Sequence, residues 1–346
     1  MTFIYFVLIL SATIFVHELG HFIFAKRAGI YVYEFCIGMG PRIFKFKRKN
    51  DETEYGIRLF PIGGFCAMAG EDVEDDEDVP KERKLQSKTW MQKFLTMVAG
   101  VMFNFIFAII LLFIIGLVNG NPNNKPIVSS VPNDGPSYAA GLRIGDEIIR
   151  LNGVKINTID RLMIEYQINY GETIELEVLR DEEKKTIEIT PKAIETEQGT
   201  TYQYNFALDG SVEKGFFEAI EYAITKFLSL IEQMFVTIVY LFNGSLSLSN
   251  LSGPVGIYNI VDQSAAAGIL SLISLTSFLS INVGFINLLP IPAFDGGRIL
   301  FLIIEKIRRK PMQPKVENVI HAVGLVLLMI LMVVVTYNDI VRFIIK

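Results

Sequence analysis

The chain has 346 residues, 51% of them hydrophobic, with a positive mean hydropathy, which is too apolar for an ordinary soluble enzyme. Its formal charge of −5 is nowhere gathered into a basic nucleic-acid footprint, so nucleic acid is excluded as a partner. Its two cysteines, Cys36 and Cys66, do not make a disulfide framework and are expected to face a reducing compartment.

The chain opens on an apolar run (residues 1–25 as a segment, 3–25 as the run itself) that is long enough to cross a hydrocarbon core of about 30 Å. No Lys or Arg precedes Lys26 and no small-residue cleavage site follows, so the run reads as a first span and not as a removed signal. Inside it lies His17-Glu18-Leu19-Gly20-His21. Residues i and i+4 share a helix face, so both imidazoles can reach one metal ion, and Glu18 beside them can take a proton from water. Ionisable groups are costly in a span, and zinc offsets that cost because neutral imidazole and carboxylate are its ligands.

Residues 26–92 are expected to form a cytoplasmic, membrane-associated β region, with the basic clusters Lys45–Lys49 and Lys81–Lys84. Residues 93–118 form the second span, where Gly100 and Asn104 suit close helix packing and a polar contact. The stretch from there to Asp262 is acid-rich. Within it, residues 124–195 break into short strands and turns, with a strand candidate at "PIVSSV", a short helix at "SYAAGL" and an Asn-Gly turn after "GDEIIRL". Amphipathic helices are expected over residues 212–250. Residues 215–242 are apolar but carry Glu218, Glu221, Lys226 and Glu232, each costing about 2.5–3.5 kcal/mol at a span centre. A helix lying on the external membrane surface is favoured there over a fifth span.

The third span covers residues 268–291, a loop and basic connection residues 292–317, and the fourth span residues 318–338. The positive-inside rule puts both basic connections in the cytoplasm, the long acid-rich stretch outside, and both termini outside. The expected fold is thus a polytopic α-helical membrane protein with four transmembrane helices, a membrane-associated β-hairpin and an external β-rich domain. A catalytic zinc takes three protein ligands and leaves one position for water. Two residues compete for the third place, Asp295 and His321, because both reach the cytoplasmic face. Asp295 is favoured: Pro290 and Pro292 break the helix before it, and Gly296-Gly297 let backbone turn close to the metal. His321 reads instead as a histidine near the interface at the start of the last span.

"HELGH" in the first span, "NLLPIPAFDGG" after the third and a small β-rich insert between resemble the bacterial site-two proteases over nearly the whole chain. These are intramembrane zinc metalloproteases of the regulator-of-sigma type. "AAGLRIGDEIIRLNG" resembles a PDZ domain, and one such insert looks like the Gram-positive arrangement; a glycine-rich carboxylate-binding loop is not evident around residues 127–131. The resemblance implies zinc on His17, His21 and Asp295, with Glu18 as general base. It also implies that Asn287 holds substrate main chain, and that residues 54–71, with a turn at Gly63-Gly64 followed by Phe65, form a hairpin that pairs with unwound substrate. A helix-end cap for Asn287 and a purely structural hairpin stay open. "LSGPVGI", residues 251–257, also resembles a family stretch and has no evident role.

The activity expected is cleavage of a single-span membrane protein, already shortened outside by another protease, within a bacterial cytoplasmic membrane. An anti-sigma factor or a remnant signal peptide fits that description. A metal transporter leaves the HExxH glutamate without a role. A zinc-containing membrane adaptor that binds peptides through its PDZ-like insert is the remaining alternative. The insert is expected either to bind peptide or to filter substrates by size.

Overall fold

A computed structural model describes residues 1–71, 78–196, 199–244, 246, 252–310, 312 and 314–342. The chain divides into two units, Met1–Leu112 with Leu248–Lys346, and Phe113–Ser247.

The first unit begins with α1 (Thr2–Arg27), an apolar helix that stops where Ala28 is followed by Gly29 in the left-handed region, a conformation that suits glycine at a helix C-terminus. The strands β1 (Val32–Lys47) and β2 (Glu54–Met68) follow and pair with each other. Bulges and positive-φ glycines fold both strands back, so residues 34–37 pair with residues 64–67 and also with residues 54–57. Residues 44–47 pair with residues 54–57 beyond them. The stretch 34–37 is therefore interior, whereas 64–67 has one partner strand among these pairings. Helix α2 (Trp90–Asn119) starts with a reciprocal cap: Thr89 Oγ1 accepts the Gln92 N–H while Gln92 Oε1 accepts the Thr89 N–H.

The second unit holds β3 (Asn121–Pro122), β4 (Val128–Ser130), α3 (Pro136–Ala139), β5 (Glu147–Leu151), β6 (Val154–Lys155), α4 (Ile159–Ile168), β7 (Ile174–Arg180), β8 (Glu183–Ile189), β9 (Lys192–Thr196), β10 (Gly199–Gln203), β11 (Ala207–Leu208), β12 (Val212–Glu213) and α5 (Phe216–Phe242). The sheet order β6-β5-β7-β8 is antiparallel, and the Asn152-Gly153 turn has φ of 46° and 79°, as a two-residue hairpin turn requires. Val128, Leu142, Ile148, Leu151, Leu176 and Ile189 fill its core. β11 returns to pair with β4, and β12 with β3, so the domain runs past the residue 195 boundary expected from sequence. Helix α4 was not expected; Thr158 Oγ1 caps it by accepting the Arg161 N–H. α5 packs on α4 through polar groups: Lys226 and Ser229 on Asp160 at 2.6 and 2.7 Å, and Tyr240 on Glu165 at 2.7 Å.

The first unit resumes with α6 (Pro254–Ala267), α7 (Ile269–Leu288), α8 (Asp295–Arg308) and α9 (Pro314–Ile340). The "LSGPVGI" stretch acquires a physical role here. Its described part opens α6, and Asp339 near the end of α9 accepts the Gly256 N–H at 2.7 Å, a contact that side chains at Gly253 and Gly256 would obstruct. Among the described residues five helices, α1, α2, α5, α7 and α9, are long and apolar enough to cross a membrane by length and composition. Along α9, Val319, Val323, Val326, Leu327, Ile330 and Val333 are exposed, a surface that hydrocarbon tolerates and water does not. The protein is a multi-pass membrane protein.

Candidate metal centre

His17 and His21 lie one turn apart on the buried side of α1. At their level α1 meets α2 backbone to backbone. A methyl group on Gly20 would strike the Ala99 carbonyl, and one on Gly100 would strike the imidazoles of both histidines. These two glycines make the room in which the rings sit.

The surroundings of each ring fix where its proton is. His21 Nδ1 lies 2.8 Å from the Thr96 carbonyl, which can only accept, so Nδ1 carries the proton and Nε2 keeps its lone pair. His17 Nδ1 lies 3.2 Å from the side-chain amide of Asn104, whose buried Oδ1 has no hydrogen-bond partner among the described residues. The two orientations of an amide differ by exchange of O and N. The one that offers Oδ1 to the His17 Nδ1–H satisfies that oxygen and frees His17 Nε2 as well.

The third group is Asp295, the first residue of α8. Its Oδ2 lies 3.0 Å from His17 Nε2 and 3.2 Å from His21 Nε2, and the two Nε2 atoms are 3.2 Å apart. With these tautomers no proton lies between any pair, so Oδ2 faces two nitrogens that cannot donate to it. Three facing lone pairs repel one another unless a cation sits among them. Ligand atoms about 2.0–2.1 Å from a tetrahedral zinc are about 3.3 Å apart, close to the separations here. The donor set of two imidazoles and one carboxylate fits zinc and leaves a fourth position open.

The three face a cavity of about 270 Å³ that is also lined by Glu18, Cys66, Met68, Glu71, Asn287 and Ala293. Glu18 and Asn287 are thus brought to the same space as the ligand trio. Gly64 sits against Glu18: a methyl group there would meet Glu18 Cγ at 3.6 Å and the Cys36 carbonyl at 2.8 Å. Residues 54–57 and 64–67 pair with residues 34–37 in opposite directions, so β2 reverses between residues 57 and 64, and the expected turn at Gly63-Gly64 falls at the end of that reversal. Gly64 is opposite Ile37, and a further reversal joins β1 to β2 at residues 48–53. Gly63 takes the left-handed region at φ 92° in the reversal of β2, and Gly64 allows the close approach. Phe65 follows on the same strand, with the Arg58 guanidinium 4.4 Å from its ring centre.

His321 is not among the ligand trio. Thr96, which orients His21, carried no signal in the sequence; Cys66 and Glu71, which line the cavity, carried one only as members of the 54–71 hairpin, and Gly100 and Asn104 only as a spacing that suits helix packing. Both cysteines are free and buried. Burial, with Glu34 acting in the same sense, pushes the Cys36 thiol up to about 11, and burial, with Glu18 adding, raises Cys66 well above the usual thiol range. Neither thiol is poised to react, so neither reports through labelling on the compartment it faces.

Compared with known proteins, residues 5–331 match the model of peptidase family M50. The chain is 35% identical to the regulator of sigma-W protease RasP of Bacillus subtilis, over 99% of this chain and 98% of that protein. It is 34% identical to the zinc metalloprotease RasP of Bacillus licheniformis, over 99% of each. A putative zinc metalloprotease of Staphylococcus aureus is also 34% identical, again over 99% of each.

Proposed function

The chain belongs to peptidase family M50 and is a zinc metalloendopeptidase of the site-two type; from that premise we propose which of its residues do the work, and on what substrate. His17, His21 and Asp295 hold the zinc, and Glu18 is the general base. Zinc held there supplies a Lewis acid that makes water a usable nucleophile near neutrality and polarises the scissile carbonyl. Glu18, in the same cavity, takes the proton of the attacking water and returns it to the leaving amine. Asn287 holds the substrate main chain beside the reacting bond. The single observation carrying this assignment is the convergence of two imidazole nitrogens and one carboxylate oxygen within 3.2 Å of one another.

A membrane helix satisfies its own backbone, so it must unwind before its carbonyls can be attacked. The outer edge of residues 64–67, beside Glu18, offers replacement hydrogen bonds to an unwound strand, and Gly63, Gly64 and Phe65 form its contact surface. The substrate is a single-span protein of a bacterial cytoplasmic membrane, cut within the membrane after another protease has shortened it outside. An anti-sigma factor is the best-supported class, given the name of the Bacillus subtilis relative.

Four of the five candidate helices cross the membrane, with both termini outside, and α5 does not. Its ion pairs and hydrogen bonds to α4 run from Lys226 to Tyr240, about 21 Å of helix at 1.5 Å per residue. A crossing α5 would drag the charged α4 into lipid. The opposite side of α5, with Phe217, Ile224, Leu228, Phe235 and Val239 exposed, suits the membrane surface. The β-rich unit is an external PDZ-like domain. Its groove, about 420 Å³ between α4 and residues 204–210, is lined by Leu162, Met163, Tyr166, Phe206 and Leu208. Asn205, at φ 57°, takes the left-handed position there, just before β11, which pairs with residues 128–130. The domain screens substrates by the size of their external part.

Quantitative membrane proteomics comparing wild type with Glu18→Gln tests the proposal. Shortened single-span proteins should accumulate in the variant. An unchanged membrane proteome, or accumulation confined to soluble proteins, would contradict it.

A further inference from the structure

His321 does not reach the metal cluster, but it is tied to the turn that carries Asp295. Its Nδ1 lies 2.9 Å from the backbone nitrogen of Ala293, two residues before the ligand. An amide N–H can only donate, so Nδ1 is the acceptor and the ring is the Nε2–H tautomer. Nε2 is buried and has no hydrogen-bond partner among the described residues, so the Ala293 contact is the polar interaction that orients the ring. Phe301, from α8, packs edge-on against it with ring centres 5.4 Å apart.

The turn is one that needs holding. Ala293 has φ 81°, in the left-handed region that a Cβ disfavours. Pro290 and Pro292 have no N–H to contribute to a regular ladder. The turn does make backbone bonds, Ile291 N–H to Leu289 O and Phe294 N–H to Ile291 O, but the Ala293 N–H finds its acceptor on α9. One helical turn beyond His321, Gly324 packs directly on Pro292, where any side chain would strike the proline ring and its carbonyl. The two contacts come from one helix and close on consecutive residues of the turn.

Resting on the reading that Asp295 is a zinc ligand, we infer that His321 is a positioning residue: its Nδ1 fixes the Ala293 amide and so holds the strained turn that presents the Asp295 carboxylate to the two histidines. It does not touch the metal or the substrate. Its contribution is to the preorganisation of the third ligand, which outer-shell groups commonly supply at metal sites.

The experiment is zinc affinity of the purified full-length protein in detergent, by competition with a chromophoric chelator, for wild type, Asp295→Ala and four His321 variants. The Co²⁺ d–d spectrum is read for each in parallel. Asn puts Oδ1 where Nδ1 stands, Gln puts its oxygen further out, and Leu fills the space against Phe301 without an acceptor. His321→Ala, His321→Leu and His321→Gln should bind zinc about tenfold more weakly, at the low end for outer-shell partners, with an altered Co²⁺ spectrum. His321→Asn should restore both. A merely structural role predicts the reverse order, with Leu restoring the site and Asn not, and that result would overturn the inference. So would unchanged affinity in all four variants alongside metal loss in Asp295→Ala. Should Asp295→Ala keep wild-type affinity, it is the assignment of Asp295 as ligand that falls.

Discussion

His17 and His21 are placed by a spacing that any α-helix provides, whereas Asp295 is placed by an irregular turn, residues 289–294, that no regular element provides. The histidine pair needs only room, and Gly20 and Gly100 supply it by letting α1 and α2 touch backbone to backbone. The aspartate needs bracing. Gly296 and Gly297 pack on the backbone of residues 288–292, and α9 grips Pro292 and Ala293. One metal cluster therefore joins a local, rigid half to a non-local, held half. Perturbations should reach it from α2 on the first side and from α9 on the second.

The largest effect should come from crowding the helical half. Gly100→Ala directs a methyl group at both imidazoles. Since helix backbone cannot move aside cheaply, it should abolish zinc retention and cleavage as completely as loss of a ligand. Elemental analysis of purified protein, with folding checked by circular dichroism, measures this. Zinc retained at wild-type stoichiometry would show that the α1–α2 contact does not seat the rings.

A smaller effect is expected where orientation and not space is lost. Asn104→Ala leaves His17 Nδ1 without its buried partner, and should weaken zinc binding about 10–100-fold while the protein still folds. Chelator competition reads it, and an unchanged affinity would remove Asn104 from the site.

The smallest effect belongs to the held half. Ala293→Gly relieves a left-handed alanine, worth roughly 1–2 kcal/mol, but frees the unfolded chain by roughly 0.5–1 kcal/mol. The two nearly cancel, so thermal unfolding should shift by only a few degrees, with zinc affinity kept. A large loss of affinity would mean that the Ala293 methyl itself is a necessary contact.

The same division explains what the sequence made legible. The HExxH pair, the apolar runs and the alternation of β7 and β8 are local periodicities, and periodicity is what a single sequence carries. Asp295 could be picked because prolines and glycines mark an irregular turn even when its shape is unknown. Contacts across sequence distance left no such trace. Thr96 on His21 spans 75 positions and Ala293 on His321 spans 28. The glycines 63 and 64 were legible as a turn but not as a contact. Glycine signals both a turn and a close approach, and here Gly63 sits at the reversal of β2 while Gly64 meets Glu18 and the Cys36 carbonyl. α4 was missed because its ten residues are flanked by strands and its hydrophobic positions alone do not distinguish a short helix from a strand.

Metal holding and proton transfer are separable here, because His17, His21 and Asp295 are assigned the first and Glu18 the second. The direct measurement is zinc per chain in purified Glu18→Gln, beside its cleavage of a single-span reporter in the same preparation. The proposed roles require about one zinc per chain, as in wild type, and no detectable cleavage. Cleavage at the wild-type rate, or loss of the zinc together with the activity, would contradict them.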